Sequence, residues 1–243
     1  MARDSEGRSY PIEGCGKFWS VTTILGILEK PALVQWAANC AVQHITDNIV
    51  DFLTSPEETK RILDEAKLAH RDIKDHAADI GTQTHEWIER WLSDRDISLP
   101  CDDVVRGAVE AFTKWAESVN LNPIASEIRV FHPSFRYAGR FDLLATLKQG
   151  RQRKARTYLI DIKTSSSIYD SMLYQLAAYE EAYRVCDGTH KIDGRGIIRL
   201  DKITGKPEWK EYTNIEEIAG WEIFKRLSEV YYLIKGTPNG GNS

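Results

Sequence analysis

Two short stretches of this chain put ionisable residues where strand packing favours apolar ones. "TYLIDIKTSS" (157–166) reads as an interior β-strand, yet Asp161 and Lys163 sit two residues apart within it. Strand side chains alternate faces, so Tyr158, Ile160 and Ile162 point one way and Leu159, Asp161 and Lys163 the other. "YAGRFDLLATL" (137–147) repeats the anomaly, with Asp142 between Phe141 and Leu143. Phe141, Leu143 and Ala145 are expected on one face of that strand. A lone buried carboxylate is costly unless it is paired or bound to a metal. Taken alone, Asp142 is answered equally by a salt bridge to a neighbouring Arg or Lys. A hairpin through residues 148–156 changes the balance, because it sets Asp142 beside Asp161. Two such carboxylates repel unless a cation lies between them. Two aspartates, a backbone carbonyl and water make a suitable Mg²⁺ site. Lys163, on the face of Asp161, would then lie beside the ion. Such a set can orient or activate a water, with Lys163 holding or deprotonating it, and can stabilise charge developing on a phosphate.

Other polar residues carry less information singly. Gln175 and Tyr179 in "YQLAAY" are four apart and share a helix face, as an ordinary amphipathic helix also allows. Glu127 in "SEIRVF" reads alone as an exposed acid opening a strand. His85 begins "HEWIE", which resembles the zinc-protease pattern HExxH, but Glu89 stands where the second histidine belongs. Trp87 and Trp91 at i, i+4 spacing are expected in the core.

The elements that must position these residues can be read from pattern. Residues 8–19, with Gly14 and Gly16, suggest a hairpin. Residues 20–53 show helical periodicity, with Pro31 at a helix start. "SPEE" (55–58) supplies an N-cap in Ser55, Pro56 at the first helical position and acids in the first turn. Helix continues through "EWIERWLSD", breaks near Pro100 and resumes in "DDVVRGAVEAFTKWAESV". From Asn122 the texture changes to three strands, "SEIRVFHP", "YAGRFDLLATL" and "TYLIDIKTSS". A helix, two further strands joined at Thr204–Gly205, and a last helix complete the chain. This order predicts an α/β fold with a mixed sheet flanked by helices. A single domain over 1–243 is expected, with a helical N-terminal part (20–120) and an α/β core (122–235).

The 243 residues are 42% hydrophobic and 28% charged, as in ordinary folded proteins. The first residues lack the apolar stretch of a secretory signal, and no run reaches the roughly 18–20 residues of a membrane span. Cys15, Cys40, Cys101 and Cys186 are scattered without a CxxC pair, so zinc-ribbon spacing is absent and reduced thiols in a cytoplasmic protein are expected. The net charge of −4 gives no global attraction to nucleic acid, so any such contact must be local. Lys148, Arg151, Arg153, Lys154 and Arg156 form the densest basic run, which reads alone as a solvated hairpin tip.

Together "GRFD" (139–142), "DIK" (161–163) and "QLAAY" (175–179) resemble the GxxD, (D/E)xK and QxxxY motifs of RecB-like exonucleases in the PD-(D/E)xK nuclease superfamily. "THEWIE" and "SEIRVF" fall where that branch carries its helical histidine and its first acid, and "SVTTIL" (20–25) is similar to the N-terminal segment of phage, CRISPR-associated and mitochondrial genome maintenance exonucleases. The resemblance spans about residues 20–185, and Phe141 stands where the superfamily name has proline. It implies a restriction-endonuclease-like core and a DNA nuclease dependent on Mg²⁺ or Mn²⁺, acting on single- or double-stranded ends in a prokaryotic or phage-infected cytoplasm. It implies metal ligation by Asp142, Asp161, the Ile162 carbonyl, His85 and Glu127, with Lys163 as the catalytic lysine. Gln175 and Tyr179 would position the substrate strand or orient Lys163. Clustered C-terminal cysteines are lacking, so no iron–sulfur cluster is expected. Beside that reading, the basic run 148–156 becomes a candidate DNA-backbone contact, as does Lys30 with Trp36. The alternative is a catalytically silent nucleic-acid-binding subunit of a recombination, repair or CRISPR-adaptation complex.

Overall fold

The structure is a computed structural model that describes residues 7–28, 31–148, 154–186, 188–201 and 204–238. Lys30, Arg151, Arg153 and the last five residues of the tail lie outside the described residues. The N-terminal hairpin pairs β1 (Ser9–Ile12) with β2 (Gly16–Ser20), and Gly14 and Gly16 take the positive φ its turn demands. Ser20 then caps α1 (Val21–Leu25) by accepting from the Thr23 N–H at 3.0 Å. There follow α2 (Pro31–Asp47), α3 (Ile49–Phe52), α4 (Pro56–Ala66), α5 (Ala69–Ser93) and α6 (Asp103–Ser118). Ser55 caps α4 with Pro56 in its first turn, as its sequence dictates. Asp102 caps α6 by accepting from the N–H groups of Val104 and Val105, each at 2.9 Å.

Chain contacts divide the molecule into two compact units, Leu28–Gln83 and the combination of Met1–Ile27 with Thr84–Ser243. The boundary falls inside the stretch read from sequence as one helical part. In the smaller unit α2 packs on α4, which buries Ile62 and Ala66, and Trp36 meets His70 edge-on. The end of α5 and all of α6 belong to the unit that holds the sheet.

That sheet has seven strands, adding β3 (Asn122–His132), β4 (Tyr137–Leu147), β5 (Arg156–Lys163), β6 (Gly194–Leu200) and β7 (Pro207–Tyr212). Its order is β1-β2-β4-β5-β6-β7, with β3 along the other edge of β4. The β2–β4 and β5–β6 pairs are parallel and the rest antiparallel. The helices α7 (Asp170–Cys186) and α8 (Asn214–Lys235) pack on each other, and α7 crosses β3 and β4. The molecule is thus α/β, with a mixed open sheet flanked by helices.

Opposite faces of the sheet carry different helices. Arg195, the β6 partner of Leu159, reaches Glu180 of α7 through Nε–Oε2 at 2.7 Å and Nη2–Oε1 at 2.9 Å. Tyr158 points to the other face, where it meets Trp209, and Trp209 in turn meets Trp115 of α6. Both faces of β5 are therefore covered, and Leu159, Ile160, Asp161 and Ile162 are all buried. Fully buried Phe18, Phe112, Phe141, Tyr137 and Tyr158 anchor this core, each gaining about 1.5–3 kcal/mol from leaving water. Among the described residues no helix is long and apolar enough to cross a membrane.

The expectation that Phe141, Leu143 and Ala145 share one face fails. Ala145 pairs with Tyr158 on the α6 side, whereas Phe141 packs against Tyr179 and Tyr183 of α7. The alternation slips where Glu127 takes φ +54, between the Ser126–Leu143 and Ile128–Phe141 pairs and so opposite Asp142. A non-glycine residue in that region is uncommon and here re-aims side chains as a bulge does. Glu127 is also interior to β3, not at its start.

Candidate metal centre at a fork in the sheet

One edge of β4 is shared by two strands. β2 pairs with Tyr137 and Ala138, and β5 pairs with Leu143 to Leu147. Between them, residues 139–142 have no ladder partner on that edge, so β2 and β5 fork around them. Extending the β4–β5 register by one step sets Asp142 opposite Asp161, as the hairpin expectation requires. The Asp142 side chain closes the fork itself, its Oδ2 accepting from the Ile162 N–H at 2.6 Å. In a strand the N–H and C=O of one residue point to the same edge, so the Ile162 carbonyl also faces the fork.

Three elements converge there. Among the described residues, His85 of α5, Glu127 of β3 and Asp142 of β4 place potential ligand atoms within 4.8 Å of one another. Each carboxylate at the fork has a basic neighbour. His85 Nδ1 lies 3.4 Å from Asp142 Oδ1, and Arg140 Nε lies 2.6 Å from Glu127 Oε2. Lys163 Nζ contacts Asp161 Oδ2. Asp161 is thereby turned to its lysine and stands outside the His85–Glu127–Asp142 group.

The electrostatics follow from crowding in a poorly hydrated place. Burial alone would push Asp142 up, but His85 and then Lys163, with the Ile162 N–H, hold its carboxyl down to about 2. Asp161 goes the other way: burial, reinforced by Asp142, outweighs Lys163 and raises it to about 6. Burial pushes Lys163 down, yet Asp161 and Asp142 outweigh it and keep the ammonium above its ordinary range. His85 is likewise raised, with Asp142 overcoming burial, and Glu127 is raised by burial against the pull of Arg140.

The helix after β5 supplies the other wall. Gln175 and Tyr179 are buried, and Gln175 Nε2 donates to Tyr179 Oη at 2.9 Å. The phenol oxygen is thus used as an acceptor, which leaves its proton to point elsewhere. Burial, with Asp161 and Asp142 nearby, keeps that proton on by raising Tyr179 well above its usual value. Gly139 makes room for the ring: a Cβ there would lie 2.4 Å from Tyr179 Cε1. That gives the glycine of "GRFD" a steric reason.

The fork thus gathers Asp142, Asp161, Ile162, Lys163, His85 and Glu127, with Gln175 and Tyr179 on the adjoining helix. The basic run is elsewhere. Leu147 and Arg156 pair at the far end of the β4–β5 hairpin, five residues from Asp142 or about 17 Å along the strand. Arg156 is occupied by the Asp193 carbonyl, by Glu211 at 3.6 Å and by the Tyr158 ring at 5.3 Å. Lys148 and Lys154 are exposed. Trp87 and Trp91 are core residues, 3% and 8% exposed. Arg140, one residue into "GRFD", carries no sequence signal that sets it apart, because its ion pair with Glu127 depends on the β3–β4 pairing. Neither protein-family models nor curated proteins give a match to this chain.

Proposed function

We propose that the protein is a divalent-metal-dependent DNA nuclease of the RecB-like, restriction-endonuclease-like type, acting as an exonuclease on DNA ends with Mg²⁺ or Mn²⁺. The observation that carries this reading is the meeting of His85, Glu127 and Asp142 beside the Asp161–Lys163 pair. The donors fit such an ion: carboxylate oxygens and one imidazole suit Mn²⁺ or Mg²⁺ better than a thiol-seeking metal. His85, Glu127 and Asp142, with the Ile162 carbonyl, would hold it, and Asp161 would join them by turning from Lys163. Once bound, the ion supplies Lewis acidity toward a phosphoryl oxygen and lowers the pKa of a coordinated water.

The remaining roles belong to the chain. Lys163 is kept protonated by Asp161 and Asp142. Neutralising those carboxylates leaves burial unopposed, which lowers the lysine toward the range where it accepts a proton from an attacking water. While still protonated it donates to phosphate oxygen instead. Tyr179, its oxygen fixed by Gln175, has its O–H free to orient the substrate strand or Lys163. The burial of Asp161, with Lys163 half-buried beside it, limits stray water and strengthens each of these interactions.

The test is digestion of end-labelled linear DNA and of closed circles with Mg²⁺, Mn²⁺ or EDTA. Metal-dependent loss of label from linear DNA, with circles left intact, is the expected result. Equal degradation in EDTA sinks the metal-dependent reading, and rapid cutting of circles sinks the exonuclease part of it.

A further inference from the structure

We infer that Arg129 and Arg140 form a phosphate-binding step that holds the backbone of the substrate strand beside the candidate metal centre. This rests on the nuclease reading and adds to it the residues that grip the strand. Arg129 and Arg140 are direct cross-strand partners on β3 and β4. Like charges directly opposite in a sheet destabilise it, so two facing arginines point to an anion that lies across both. Both side chains are exposed, and among the described residues Arg129 has no ion pair. Paired residues share a face, and Arg140 reaches Glu127, so the pair lies on the side of the metal cluster. Arg140 is two residues from Asp142, about 6.6–6.8 Å along β4, so a held phosphate neighbours the reacting one. Two guanidinium forks match phosphate oxygens in geometry and charge.

Arg140 has a second task. It pairs with Glu127, which a metal would claim. A dication on Glu127 frees the guanidinium for phosphate and removes a negative charge that repels it. Metal and DNA therefore strengthen each other's binding, and the coupling is reciprocal. The net charge of −4 makes such a local grip necessary.

The experiment measures fluorescence anisotropy of a labelled single-stranded oligonucleotide on Lys163→Ala protein, which suppresses turnover. Titrations run with Mn²⁺ or EDTA across a range of salt. Adding Arg129→Ala is expected to weaken binding about three- to tenfold and to reduce the slope of log affinity against log salt by about one. Arg129→Lys keeps the slope, which a loss of fold would not. In the otherwise wild-type enzyme, Arg129→Ala raises KM by a larger factor than it lowers kcat. Mn²⁺ tightens binding on the Lys163→Ala background. Unchanged affinity and slope in Arg129→Ala, while wild type cleaves DNA, overturn this inference and leave the nuclease reading standing. A wild type that neither cleaves nor binds DNA overturns both.

Discussion

At the fork each acid is matched to its own base: Glu127 to Arg140, Asp142 to His85, and Asp161 to Lys163. Lys163→Ala strands a buried Asp161, a defect that commonly costs about 3–5 kcal/mol. A dication can replace the lost charge, so differential scanning fluorimetry should show a larger Mn²⁺-induced rise in melting temperature for Lys163→Ala than for wild type. The acids also set a pH signature. Folded Asp161 keeps its proton up to about 6, whereas the unfolded group releases it near 3.8. The folded state binds the extra proton in that window, so this group's contribution to stability falls as pH rises through it. Asp142 is depressed to about 2, and its contribution, present above 3.8, is lost as pH falls toward 2. A cation competes with the Asp161 proton, so Mn²⁺ stabilisation should be greater at pH 7.5 than at pH 5. Gly139→Ala forces a methyl into the Tyr179 ring and should cost about 1–3 kcal/mol in urea unfolding. Asp161, Lys163 and Asp142 were legible in sequence because charge in an apolar strand is conspicuous. Glu127 was less so, because its left-handed backbone depends on the β3–β4 pairing.

Elements rather than single residues hold the fork open. α7 must lie over β4 for Tyr179 to enter, and the Arg195–Glu180 pair, both residues at most 5% exposed, ties α7 to β6. Arg195→Ala leaves Glu180 buried without its bidentate partner, although Arg184 still touches it at 3.0 Å. The expected loss is about 3–5 kcal/mol in chemical denaturation. Thr213 closes a capping box with Glu216 at the start of α8, and Thr213→Ala should cost about 1 kcal/mol by the same measurement. Element positions were readable where local chemistry decides them, as with Ser55 before α4 and Gly205, φ +59, between β6 and β7. Strict alternation misled along β4 because side-chain phase is set by the pairing with β3. The sharing of one β4 edge by β2 and β5 has no local signal, since it arises from strands more than a hundred residues apart.

At the scale of the whole molecule, the order of helices and strands predicted the α/β class, and the contacts further divide the chain into two units. The contact boundaries at Ile27–Leu28 and Gln83–Thr84 carry no linker composition, and the second lies inside the continuous helix α5. The overall charge is modest and negative, so a nuclease built on this chain must rely on a local basic surface and a bound cation, with affinity falling steeply in salt. The central claim is that the fork residues carry out metal-dependent phosphodiester cleavage. Single-turnover digestion of end-labelled DNA in Mn²⁺, by wild type, Asp142→Asn and Lys163→Ala, tests it most directly. The nuclease assignment predicts cleavage by wild type, abolished by EDTA, and losses of at least about 10²-fold in both variants while circular dichroism shows them folded. Cleavage by either folded variant at the wild-type rate would contradict it.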